Sequence, residues 1–145
     1  MEITGSHRIP ASRETVWEAL NDPDVLRRCI PGCESLEVLD DGTMTAVVVT
    51  KIGPVKARFN GSVAFEDVVP PEGYRIGGEG KGGIAGFAKG SADVNLTEDV
   101  DATVLDYKVD VQVGGKIAQL GSRLIVSSAR KLSDQFFSCF VENVG

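Results

Sequence analysis

Hydrophobic and polar positions along this chain follow two different periods, and the changes of period divide it into three parts. Residues 2–9 (EITGSHRI) read as a short first strand. Ser12 then caps a helix whose Val16, Trp17 and Leu20 fall on one stripe at 3.6-residue spacing. Asp22 restarts a second helix with Pro23 at its first position, and Pro31-Gly32 ends it.

From residue 34 to 113 the period drops to two. SLEVLDDGTMTAVVVTKI reads as a hairpin with Asp41-Gly42 at its tip. After Pro54, positions Val55, Ala57, Phe59, Val63 and Phe65 form an apolar face, with Lys56 and Arg58 opposite. VVPPEG is a turn, YRIGGEG a weak strand, and AKGSADVNLTE a strand that places Ala92, Val94 and Leu96 together. The clearest alternation follows Asp99: Leu105, Tyr107, Val109, Val111 and Val113 face one way, while Asp106, Lys108, Asp110 and Gln112 face water.

Residues 116–143 return to helical spacing through Ile117, Leu120, Leu124, Leu132, Phe136 and Phe140, which predicts a helix about 40 Å long. The order is β-α-α, six strands and a long C-terminal helix. That is an α+β domain spanning 1–145, with an antiparallel sheet of about seven strands whose apolar face is closed by the last helix.

A chain of 145 residues with 42% apolar and 25% charged composition suits one soluble core. No window is apolar enough to span a bilayer, and MEITGSHRIP has no signal-peptide core, so a cytoplasmic location is expected. The net charge of −6 argues against nucleic acid as a partner. Three cysteines, Cys29, Cys33 and Cys139, are expected as reduced thiols, with Cys29 and Cys33 small, partly buried residues.

Turn parity polarises the molecule, because alternate connections of an antiparallel meander lie at the same end. One set (29–33, 51–55, 80–86 and 113–116) is glycine-rich and basic, with Arg27, Arg28, Lys51, Lys56, Lys81, Lys89 and Lys116 nearby. The other set (40–42, 69–73 and 98–101) is acidic. Glycine-rich loops suit a mouth that must move or admit something.

The last helix is bulky at its end but small earlier, at Gly121, Ser122, Ser127, Ser128 and Ala129. Glycine inside a helix costs about 1 kcal/mol against alanine, so Gly121 is expected to make room for an apolar ligand in a cavity under the helix. Gly114-Gly115-Lys116 does not complete a phosphate-binding P-loop, since Ile117 follows the lysine and no glycine stands at the required spacing before it. Neither H-E-x-x-H nor C-x-x-C occurs, so no metal site is expected. The lone His7 has no serine and carboxylate to make a triad with. Tyr107 is the polar group expected inside, and no catalytic residue is assigned.

The stretches SRETVWEALNDPDVLRRCIPGCESLE, KIGPVKARFNGSV, GKGGIAGFAKGSADVNL and VGGKIAQLGSRLI, in that order, resemble the CoxG family, named for the G subunit of carbon monoxide dehydrogenase. The resemblance covers essentially the whole chain and places it in the START-like (SRPBCC) superfamily. It implies a helix-grip fold, in which a curved sheet wraps the C-terminal helix around an apolar cavity opening at the glycine-rich loops. It implies a non-catalytic protein that holds a quinone or lipid, with no covalent cofactor. It also implies service to a molybdenum hydroxylase of the CO dehydrogenase type, in peripheral association with the inner face of the membrane or in electron delivery. Longer members attach by a C-terminal tail; this sequence ends at Gly145, so such a tail is not expected here. The superfamily also includes lipid carriers and polyketide cyclases. Two alternatives stay open: an interaction or assembly factor without ligand, whose basic end docks a partner enzyme or anionic lipid, and a polyketide cyclase-like or hydrolase-type enzyme using Tyr107 or His7. The expected cavity residues are Ile30, Phe59, Phe65, Ile84, Phe87, Tyr107, Val109, Val111, Ile117, Leu120, Gly121, Leu124 and Ser128.

Overall fold

The computed structural model describes residues 1–144. The elements are β1 (Glu2–Ile9), α1 (Arg13–Leu20), α2 (Pro23–Cys29), β2 (Cys33–Val38), β3 (Met44–Ile52), β4 (Val55–Val69), β5 (Gly73–Lys81), β6 (Phe87–Asp99), β7 (Ala102–Gly114) and α3 (Ser122–Asn143). One antiparallel sheet takes the order β1-β7-β6-β5-β4-β3-β2. This is the seven-stranded helix-grip arrangement expected from the chain.

Local chemistry sets the short helices. The Ser12 hydroxyl accepts from the Thr15 N–H, and the Asp22 carboxylate accepts from the Asp24 N–H ahead of Pro23. Each cap supplies an acceptor for an N–H that the first helical turn leaves without one. α1 then buries Val16, Ala19 and Leu20 against the sheet.

Two apolar clusters fill the two ends of the molecule. The larger joins Ile9, Val16, Leu20, Tyr74, Val94, Leu96, Leu105 and Phe140, with Phe136 and Phe137 packed beside them. Phe136 stacks on Phe140 at 5.7 Å, and Phe137 meets both rings edge-on. These rings seat the second half of α3. The smaller cluster, Val55, Ala85 and Ile117 with Ile52, Phe59, Val113 and Leu120, closes the glycine-rich end. Between them α3 touches β1 and β3, near opposite edges of the sheet.

Two expectations are corrected. The C-terminal helix does not run from 116: residues Gly115–Leu120 form a 3-10 turn, and α3 starts at Ser122. Gly121 stands between them at φ 86° and ψ 157°, a region essentially reserved for glycine. Its role is therefore to bend the backbone, not to make room inside a helix. The second correction concerns the thiols. Cys29, at the last turn of α2, is joined to Cys139 on α3, with the two Cα atoms 5.3 Å apart and 110 residues between them, while Cys33 is free. The pairing arises because α2 packs on α3, a contact that sequence spacing does not reveal.

A bridge closing so long a loop removes considerable freedom from the unfolded chain. Reduction, or Cys139→Ser, is expected to lower stability by about 2–4 kcal/mol, read from urea unfolding with and without reductant. The Cys139→Ser protein should no longer respond to reductant; a wild-type curve that ignores reductant would count against the bridge.

Candidate functional site

The inner face of the sheet decides the site. Registers across the strands set Leu36, Ala46, Gly61, Gly80, Ala88 and Val113 in one row. The next row is Met44, Val63, Gly78, Gly90 and Val111. A third holds Phe65, Ile76, Ala92 and Val109. The middle of this floor is nearly free of side chains: a Cβ added at Gly80 would meet nothing within 4 Å. Strands hold their spacing through backbone hydrogen bonds, so the sheet does not collapse to fill the gap.

A cavity of about 460 Å³ results, lined by these rows apart from Val113 and roofed by Leu20 of α1 and Leu26 and Ile30 at α2. Its wall is almost entirely apolar, and its volume suits a small ligand. No residue of α3 lines it. The small residues that make the space lie on the sheet, not on the helix.

Of the thirteen expected cavity residues, Ile30, Phe65, Val109 and Val111 line this space. Phe59, Ile117 and Leu120 belong to the cluster that closes the glycine-rich end. Leu124 lies over the β3–β4 turn, where a Cβ on Gly53 would strike its side chain, and the Ser128 hydroxyl accepts from the Gly53 N–H at 3.2 Å. Phe87 packs on Gly114, and Ile84 projects from the Gly83–Ala85 turn, 91% exposed. Gly121 is at the backbone bend described above. Tyr107 pairs its hydroxyl with Ser133 at 2.9 Å, beside Phe137 and over Gly5, whose missing Cβ leaves space for the ring.

The tyrosine that does line the cavity is Tyr74. It is 8% exposed, lies parallel to Phe65 at 5.4 Å and meets Trp17 edge-on at 5.2 Å. Its hydroxyl makes no side-chain hydrogen bond among the described residues. Burial pushes that hydroxyl up to about 12, because an anion there would lose its hydration. The sequence carried a signal for this residue: Tyr74, Ile76, Gly78 and Gly80 alternate along one face, two large and then two absent side chains.

His7 lies 4.1 Å from Phe137, ring on ring, and does not line the cavity. No group of three His, Cys, Asp or Glu residues suited to a metal occurs among the described residues. No helix among them is long and apolar enough to cross a membrane.

The family model for the G subunit of carbon monoxide dehydrogenase (CoxG) matches residues 5–145. The chain belongs to the CoxG family. A conserved protein from Geobacillus kaustophilus is 31% identical, with 99% of this chain and 94% of that chain covered and a TM-score of 0.93. A START superfamily protein from Mycobacterium smegmatis is 17% identical, with 99% and 96% covered and a TM-score of 0.73. The Zhui aromatase/cyclase from Streptomyces sp. R1128 is 13% identical, with 99% and 92% covered and a TM-score of 0.65. These last two share the fold. Among curated proteins, no sequence matches.

The raised Tyr74 has a consequence for alkaline stability. Above pH 10 the unfolded chain loses this proton, while the folded chain keeps it to about 12. Stability is fully present below pH 10 and falls across the window from 10 to 12, by up to about 2–3 kcal/mol. Tyr74→Phe is expected to remove that component, seen as a shallower fall in unfolding free energy than the wild type between pH 9.5 and roughly 11.5. Parallel curves would show that Tyr74 is not buried as described.

Proposed function

We propose that this CoxG-family protein is a non-catalytic carrier of an apolar small molecule, a quinone or a lipid. In this reading it serves a molybdenum hydroxylase of the CO dehydrogenase type, at the membrane or in electron delivery. The observation that carries the reading is the bare floor formed by Gly61, Gly78, Gly80, Ala88 and Ala92, which keeps an apolar cavity open in the middle of the sheet. A protein selected for stability alone would fill such a space, since unfilled volume forfeits dispersion contacts. Tyr74 supplies a hydroxyl at the wall for a ligand with a carbonyl or hydroxyl.

Carriage is favoured over catalysis by the same geometry. The two residues open to an enzymatic role, Tyr107 and His7, are committed to Ser133 and Phe137 and stand outside the cavity wall. Family membership supports the partner assignment.

Trp17, the single tryptophan, is in contact with cavity-lining Tyr74, so its fluorescence reports on the site. Titration with a short-chain ubiquinone, and separately with a fatty acid, is expected to give saturable quenching or a saturable shift for at least one. Gly80 has an ordinary φ and open space at its Cβ, so Gly80→Phe should fold with an unchanged or higher melting midpoint and bind at least about tenfold more weakly. Gly121→Leu should instead cost about 1–3 kcal/mol of stability and leave binding of the folded protein intact. No saturable response to either probe, or full binding by Gly80→Phe, would overturn the proposal.

A further inference from the structure

The bridge between Cys29 and Cys139 stands where a change in it acts on the cavity. Cys29 is in the last turn of α2, between Leu26 and Ile30, which both roof the cavity. Its partner lies on α3, which contributes nothing to the cavity wall. α2 has seven residues, of which Val25 and Cys29 are buried. A helix this short has little stability of its own. The bridge, and a 2.6 Å hydrogen bond from the Arg28 guanidinium to Asn143 Oδ1, fasten it to α3.

The surroundings of the two sulfurs are polar and directed. A guanidinium only donates, so Arg28 takes the Asn143 carbonyl oxygen and turns the amide Nδ2 the other way. That Nδ2 lies 3.5 Å from Cys139 Sγ and 3.8 Å from Cys29 Sγ, and it donates to the Cys139 carbonyl oxygen at 2.8 Å. The charge on Arg28 polarises this amide, so an N–H with added positive character faces the bridge.

A bridged sulfur is a weak acceptor and gains little from such a donor. A thiolate gains more, because a hydrogen bond to the charged form favours that form. The Arg28 carbonyl oxygen lies 3.8 Å from Cys139 Sγ, where a thiol donates and a bridged sulfur has no proton to give. The cluster therefore holds partners suited to the reduced pair.

Access favours one sulfur. Cys29 is 3% exposed, whereas Cys139 is only partly buried. We propose that Cys29–Cys139 is a thiol-exchange site that latches the cavity roof and is opened by a dithiol reductant. One thiolate of the reductant attacks Cys139 Sγ. The S–S bond breaks, and its electron pair leaves on Cys29 Sγ beside the Asn143 N–H. The Cys29 thiolate then takes a proton from water. The second thiolate of the reductant displaces Cys139 from the mixed disulfide, and Cys139 is protonated in turn. Two electrons and two protons pass to the protein, and the reductant becomes a disulfide. Freed from α3, the last turn of α2 moves with Leu26 and Ile30, and the cavity opens on that side. Release of a ligand by this opening rests on the carrier reading; the opening itself does not.

Dithiothreitol is the probe. Acid quench, alkylation and mass spectrometry should count one thiol, Cys33, before treatment and three after it, in buffer without denaturant. Asn143→Ala should be reduced about three- to tenfold more slowly than wild type, and the two should react alike in guanidinium chloride. A merely structural asparagine gives the reverse, because loosening the end of α3 exposes the bridge. The Leu26 and Ile30 amides are bonded to the Asp22 and Leu26 carbonyls in the closed form. They should take up deuterium rapidly in the reduced protein and in Cys139→Ser, while residues 102–114 stay protected. Cys33→Ser should behave as wild type throughout. Short-chain ubiquinone, followed by Trp17 fluorescence, should leave at least about tenfold faster on reduction.

A bridge that dithiothreitol leaves intact without denaturant would overturn the latch. Asn143→Ala reduced as fast as wild type or faster, or equal uptake by α2 in the two forms, would overturn it too. So would uptake over 102–114 rising together with that of α2, since reduction then unfolds the whole domain. If neither ubiquinone nor a fatty acid binds the oxidised protein, carriage fails, while thiol counting and exchange still decide the latch.

Discussion

Backbone hydrogen bonding holds the sheet open where side chains do not. Strands β4, β5 and β6 keep an unbroken register through Gly61, Gly78, Gly80 and Gly90, so their separation is fixed whether or not anything stands on the inner face. A helix bundle with the same composition would close up, because its helices move independently. Here the floor cannot rise, and the roof cannot descend past Leu20, Leu26 and Ile30. Every other feature of the molecule is arranged around that gap.

The helix is therefore held at its ends instead of along its length. Phe136, Phe137 and Phe140 embed the second half of α3 in the larger cluster. The first half is fixed by Leu124 and Ser128 against Gly53, where a hydroxyl satisfies an N–H that the tight turn leaves without a ladder partner. The Cys29–Cys139 bridge adds a third tie, between α3 and the helix that roofs the cavity. This division explains why serine stands at position 128: it is needed as an acceptor at a close approach, where a larger apolar residue would separate turn from helix.

The architecture was legible from periodicity because each strand has one dry face. The period-two run from Leu105 to Val113, the caps at Ser12 and Asp22, and the turn parity all correspond to what the chain forms. The position of the empty space was less legible. Hydrophobic patterns register side chains that are present, and this cavity is built from ones that are absent. Gly78 and Gly80 made β5 look like a weak strand, when they are the centre of the floor. Conversely, the small residues of the last helix suggested room that the helix does not provide. Gly121 illustrates the ambiguity: a glycine inside a helical pattern is compatible with packing or with a bend, and only the backbone angle separates the two. Tertiary pairings such as Cys29 with Cys139 leave no periodic trace at all.

The two ends of the molecule have different physical characters, and that difference orders the remaining observations. At the acidic end, aromatic and aliphatic groups interlock around Leu105 and Phe140, both almost fully buried, so opening there would expose the main core. At the basic end, the closing cluster is small, and the backbone entering it passes through Gly82, Gly83, Gly86, Gly114 and Gly115. Opening the cluster around Ile117 would expose far less apolar surface, and the glycines offer rotations that other residues do not. Ala85 in that cluster is the chain neighbour of Ile84 on the outside. The Gly83–Ala85 turn thus exposes Ile84 at the surface and buries Ala85 in the basic-end cluster, one peptide away.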